Sequence, residues 1–119
     1  MSASDRILIR DLTAACVIGV FPKERERRQV VSIDLVLHVD CAPAARSDDL
    51  GDALDYKELK DRILAHVRAS DYRLIEALAA SVADLCLQDP RVARVEVTLD
   101  KPGALTDARS VAVRLERTR

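Results

Sequence analysis

In residues 29–40, QVVSIDLVLHVD, Val31, Ile33, Leu35, Leu37 and Val39 fall on one side, while Ser32, Asp34 and His38 alternate onto the other. Side chains of a β-strand point to opposite faces in turn, so a period of two over this length predicts a long strand with one apolar face. Such a strand belongs to a sheet, and the rest of the chain must supply its partners and its cover.

The neighbouring segments do so. RILIRDLTAACVIGV offers two short β-rich pieces, at about residues 6–10 and 13–19, closed by Gly19. After the connection CAPAARSDDLGD, Leu59, Ile63 and Val67 recur every fourth residue, which predicts a helix with a buried stripe. Asp55 precedes it and Glu58 follows three residues later, the pattern of an acidic N-cap whose carboxylate meets free N–H groups. A second helix at about residues 73–88 carries Leu74, Leu78, Val82 and Leu85 and ends before Pro90. In the last third, Val95, Val97 and Leu99, then Val111, Val113 and Leu115, alternate with polar or small residues. The order is β-β-α-α-β-β, an α+β class in which a four-stranded antiparallel sheet carries two helices on one face. The other face bears Ala15, Val17, Val30, Val36, Ser110 and Ala112. That is too apolar for full exposure, so subunits are expected to associate.

At 119 residues with 49% hydrophobic content, residues 1–119 are read as a single domain with one core. Aromatic residues make up only 3%, so Val, Leu, Ile and Ala must pack that core, and no platform for stacking bases exists. A net charge of -1 provides no field to attract nucleic acid or an anionic membrane. No apolar run approaches the ~18 residues of a membrane span, and the N-terminus MSASDRILIRD has no continuous apolar leader region. Cys16, Cys41 and Cys86 lack metal-ligand spacing and suit a reducing compartment. The expectation is a cytoplasmic protein with no metal. Gly19, Gly51 and Gly103 are isolated, so no glycine-rich phosphate cradle is present and no cofactor is expected.

Four stretches place an ionisable residue where the backbone is restrained. Lys101 follows the alternating run and is locked by Pro102; it reads as a solvated strand-end lysine or as a proton-transfer base. Tyr56 opens the first helix, its phenol either in water or available for proton transfer. Glu76 lies in the first turn of the second helix, where it favours the dipole or pairs with a flat amidine-like ligand edge. Glu24 stands in the charge run PKERERRQ, a solvated connection or a carboxylate for a polyol. His38 and His66 are read as structural.

Taken in order, VIGVFPKERERRQ, ARSDDLGDALDYKEL, YRLIEALAASVA and VEVTLDKPGAL with ARSVAVRLER resemble the dihydroneopterin aldolase family of the folate pathway, from Arg6 to Arg117. The resemblance implies a tunnelling fold, in which sheets from several subunits join into a barrel with helices outside, as a homo-oligomer of four or eight. It implies a small pterin substrate and active sites between subunits. Glu76 would grip the amino-pyrimidine edge with backbone groups near Leu74 and Ile75, and Leu54 and Asp55 of the neighbour would add backbone contacts. Glu24 would contact the hydroxylated side chain, Lys101 would act as general base with a water, and Tyr56 of the adjacent subunit would move the second proton.

Two departures stand out. Val17-Ile18 replaces the aromatic or His that many relatives carry before the first-motif glycine, and Arg25, Arg27 and Arg28 with Arg109 form a basic cluster. The cluster would also suit the related dihydroneopterin triphosphate epimerase, while KPGAL resembles the aldolase more closely. A ring-forming pterin-binding protein without turnover is the remaining alternative.

Overall fold

The two β-rich pieces expected near the start are one strand, β1 (Arg6–Cys16), broken by a bulge. In the computed structural model, which describes residues 5–119, Ile9 faces Leu35 and Leu12 faces Ile33. Residues 1–4, the beginning of the N-terminal stretch read above, lie outside the described residues. Arg10 and Asp11 therefore share the place opposite Asp34, and the inward positions change from Ile7 and Ile9 to Leu12, Ala14 and Cys16. An inserted residue shifts the side-chain phase by one. Asp11 takes the left-handed conformation (φ 55°), which Asp tolerates better than most residues. Its N–H donates to Asp34 Oδ1 at 2.6 Å, and its carboxylate accepts from Ser32 Oγ at 2.7 Å.

Strands β2 (Gln29–His38), β3 (Arg94–Pro102) and β4 (Ser110–Thr118) complete an antiparallel sheet in the order β1-β2-β3-β4. The register pairs Leu35 with Val97 and Val97 with Leu115, so the apolar rows of neighbouring strands align on one face.

Two long helices cover that face. Helix α3 (Tyr56–Ala69) buries Leu59, Ile63 and Val67 against β1, as its four-residue spacing predicts, and Asp55 Oδ1 caps it by accepting the Glu58 N–H at 3.0 Å. Helix α4 (Ile75–Leu87) lies against β3 and β4 and buries Leu78, Ala79, Val82, Ala83 and Cys86. Its start is later than expected. Leu74 is the extended N-cap residue (φ −113°, ψ 137°), which lifts it off the buried stripe and leaves it half exposed. Leu85, also expected on the stripe, is half-buried.

Short helical turns occupy stretches expected to be irregular. Pro22 at the first position starts α1 (Pro22–Arg25), and Pro43 sits in the first turn of α2 (Ala42–Ser47). A 3-10 turn at Leu50–Asp52 is capped by Asp49, which accepts the Gly51 N–H at 2.9 Å. The fold is the four-stranded antiparallel sheet with two main helices on one face. Among the described residues no helix covers the opposite sheet face, and Leu8 and Val30 on it remain exposed. Among the described residues no helix is long and apolar enough to cross a membrane.

Candidate active site

Strand β3 does not stop before Lys101. It continues through Pro102, so Val95, Val97, Leu99 and Lys101 share one face, the one that packs under the helices. Lys101 is thus a cation at a core position, paired across the ladder with Val111 and only 7% exposed. This corrects the reading of a residue that merely follows the strand. An ammonium removed from water requires a counter-charge and hydrogen bonds. Glu24 supplies both, its Oε2 accepting from Lys101 Nζ at 2.5 Å.

Glu24 is itself held in place. Its Oε1 accepts the N–H groups of Val20 at 3.1 Å and Phe21 at 3.2 Å, because α1 folds the carboxylate back over the turn that precedes it. Gly19 makes room for this. Its φ of 138° lies where side chains are disfavoured, and the Glu24 side chain packs directly over its Cα. The Lys101 ammonium, and after it the Phe21 N–H, hold the Glu24 carboxyl below its ordinary value of 4.5. The charge run that reads as a solvated connection therefore delivers one half-buried, oriented carboxylate.

Lys101 and Glu24 open into a cavity of about 270 Å³ that Leu74, Ile75 and Glu76 also line. Glu76 is exposed in the first turn of α4, where the free N–H groups of the helix start point outward. The cavity thus sets the Lys101–Glu24 ion pair beside a second carboxylate and a row of backbone donors. Phe21, Leu74 and Leu105 give it an exposed apolar border.

Leu54, Asp55 and Tyr56 are not part of it. They line a second cavity of about 550 Å³ together with Leu50 and Ala53. Tyr56 is 60% exposed at the first position of α3, and Asp55 uses its carboxylate as the helix cap. Five of the eight site residues named from the sequence converge within one chain, and three form a separate surface.

The role of Gly19 beneath Glu24 and the Val20 and Phe21 N–H groups went unread in the sequence, although a glycine five residues before Glu24 was a visible signal. The basic cluster is also different from its sequence reading. Arg25 donates to the carbonyls of Gly19 and Tyr72, each at 3.1 Å, and of Asp71 at 2.7 Å. Arg28 donates to the carbonyls of Ala15 and Arg68. Both guanidinium groups join backbone segments, and neither is directed at an anion site.

Residues 7–116 match the family model described as FolB, dihydroneopterin aldolase. The dihydroneopterin aldolase of Streptomyces coelicolor is 41% identical over 100 residues, covering 84% of each chain. The dihydroneopterin triphosphate 2'-epimerase of Pseudomonas aeruginosa is 34% identical over 110 residues, 92% of this chain and 89% of that one. The crystal structure of Escherichia coli dihydroneopterin aldolase in complex with neopterin superposes with a TM-score of 0.91 at 34% identity, covering 95% of this chain and 98% of that one. With the match spanning nearly every element described above, this chain belongs to the dihydroneopterin aldolase family.

Proposed function

We propose that the chain cleaves 7,8-dihydroneopterin in a retro-aldol reaction to 6-hydroxymethyl-7,8-dihydropterin and glycolaldehyde, with inversion at C2′ as a side reaction. The observation that carries this reading is the buried Lys101, paired at 2.5 Å with the half-buried Glu24, in the cavity that Glu76 also lines. A buried amine beside an oriented carboxylate is a unit through which a proton can pass, and its placement next to a planar-edge binding group suits a heterocycle with a hydroxylated tail.

The chemistry follows from the substrate. The proton on the C2′ hydroxyl passes to Lys101, acting in its amine form as general base with a water. The C2′ oxygen becomes a carbonyl, the C1′–C2′ bond breaks, and its electrons move into the C6=N5 bond of the ring. Glycolaldehyde leaves, and the enamine is protonated at C1′. Because the dihydropterin ring accepts the electrons, the reaction requires neither a lysine Schiff base nor a metal. Re-addition of glycolaldehyde through its other face inverts C2′.

In this reading Glu24 also touches the tail hydroxyls, and Glu76 with the backbone at Leu74 and Ile75 binds the pyrimidine edge. Tyr56, Leu54 and Asp55 act on the cavity of an adjacent copy in a ring of four or eight subunits, and Tyr56 moves the second proton. The separation of the two cavities on one chain and the uncovered sheet face support this. Free thiols at Cys16, Cys41 and Cys86 suit work in the cytoplasm.

Incubation with 7,8-dihydroneopterin and with its triphosphate tests the proposal. Glycolaldehyde release from the former, abolished in Lys101→Ala, is the expected result. Inversion of the triphosphate with little cleavage would make the chain an epimerase, and pterin binding without turnover would make it a binding protein. The engagement of Arg25 and Arg28 by backbone carbonyls favours the unphosphorylated substrate.

A further inference from the structure

The cavity has two walls from distant parts of the chain. One is the turn at residues 19–24, which carries Glu24 and faces Lys101. The other is the connection between α3 and α4, which runs through Asp71 and Tyr72 into Leu74, Ile75 and Glu76. Residues 70–74 of that wall lie outside helix and strand, while Ile75 and Glu76 open α4.

A single half-buried side chain joins them. Arg25 Nη1 donates to Gly19 O and to Tyr72 O, each at 3.1 Å, and Nη2 donates to Asp71 O at 2.7 Å. The Gly19 N–H adds a direct link to Tyr72 O at 3.3 Å. A guanidinium is planar with a rigid fork of donors, so three acceptors on two segments are held in one fixed arrangement. A lysine in the same place offers three rotatable donors on a flexible stem, without the planar fork that fixes the two segments in one geometry. The bridge spans 46 and 47 residues of sequence and ends two positions before Leu74.

We propose that Arg25 is a positioning residue, holding the wall that carries Glu24 at a set distance from the wall that carries Glu76, so that one ligand engages both. The inference rests on the aldolase reading and deepens it: Arg25 sets the selectivity for pterins with a hydroxylated tail. It touches no substrate. A ligand held by its ring alone leaves the C2′ hydroxyl away from Lys101, and misplacement by about 1 Å costs on the order of 100-fold in rate.

Arg25→Lys and Arg25→Ala test it, with turnover of 7,8-dihydroneopterin and fluorescence titration by neopterin and by a pterin without the polyol tail. Both variants are expected to bind the tail-less pterin within about 2-fold of the parent, to lose the preference for neopterin, and to turn over about 10–100-fold more slowly. Lys is expected not to rescue, because the fork and not the charge makes the bridge. Wild-type kcat in Arg25→Lys would overturn the proposal, as would an equal loss of affinity for both ligands accompanying a lower melting temperature. If the parent protein binds pterins without releasing glycolaldehyde, the aldolase reading fails, while the tail preference in the titrations still decides the role of Arg25. A parent protein that binds neither pterin would overturn both.

Discussion

Gly19 and Glu24 are packed so closely that a Cβ on Gly19 would stand 2.4 Å from the Glu24 carboxyl carbon. The glycine also has φ 138°, a conformation that an alanine occupies at a cost of about 1–3 kcal/mol. Gly19→Ala therefore forces Glu24 off the Val20 and Phe21 N–H groups and away from Lys101. The expected outcome is a loss of about 1–3 kcal/mol in urea unfolding and a fall in glycolaldehyde release of about 100-fold or more, since positioned proton transfer contributes ~10²–10⁴ in rate.

Glu76 should separate in kinetics from Lys101. Lys101→Ala is expected to lower kcat by about 10²–10⁴ with pterin affinity largely kept. Glu76→Ala is expected to raise the dissociation constant for neopterin first, by roughly 10-fold or more, as a charge-assisted pair to the ring edge is lost. Steady-state kinetics with a neopterin titration reads both, and a Lys101→Ala enzyme with full kcat would remove the assignment of the base.

Because Tyr56 lies on a different cavity from Lys101, two inactive variants should complement each other. Tyr56→Phe and Lys101→Ala are each expected to be inactive, and mixed assemblies made by co-refolding should recover about a quarter of parent activity when each site draws on two copies. No recovery in assemblies verified as mixed would mean that both groups act from the same chain.

Acid should release the Glu24 contact. The carboxyl is lowered from 4.5 by the Lys101 hydrogen bond and then by Phe21, so the folded state holds the charged form more tightly than the unfolded chain does. The resulting stabilisation is complete above the ordinary value and disappears as pH falls through the lower folded value. Urea midpoints of parent and Glu24→Gln, measured from pH 7 down to about pH 3, should differ at the upper end and converge at the lower. Glu96 is lowered in the same direction by His38, and because both proteins keep that pair the comparison isolates Glu24.

Much of the fold was legible because the signals are local. The alternation from Val31 to Val39, the four-residue spacing of Leu59, Ile63 and Val67, and the Asp55 cap each reflect the geometry of one element with itself. The turns at Pro22 and Pro43 were harder to see, since short helices carry little periodicity. The alternation Val95, Val97, Leu99 in fact runs on to Lys101, but a charged residue followed by proline reads as the end of a strand.

The amino-acid order by itself determined the elements, their succession, and which residue types could perform acid–base chemistry. Tertiary structure alone decided that Lys101 points into the core and meets Glu24 from 77 residues away, that Asp11 bulges β1 back into phase, and that Arg25 binds carbonyls of a distant connection. The physical reason is that burial of a charge is set by what surrounds it. Those surroundings come from segments that share no local pattern and meet only when sheet and helices pack.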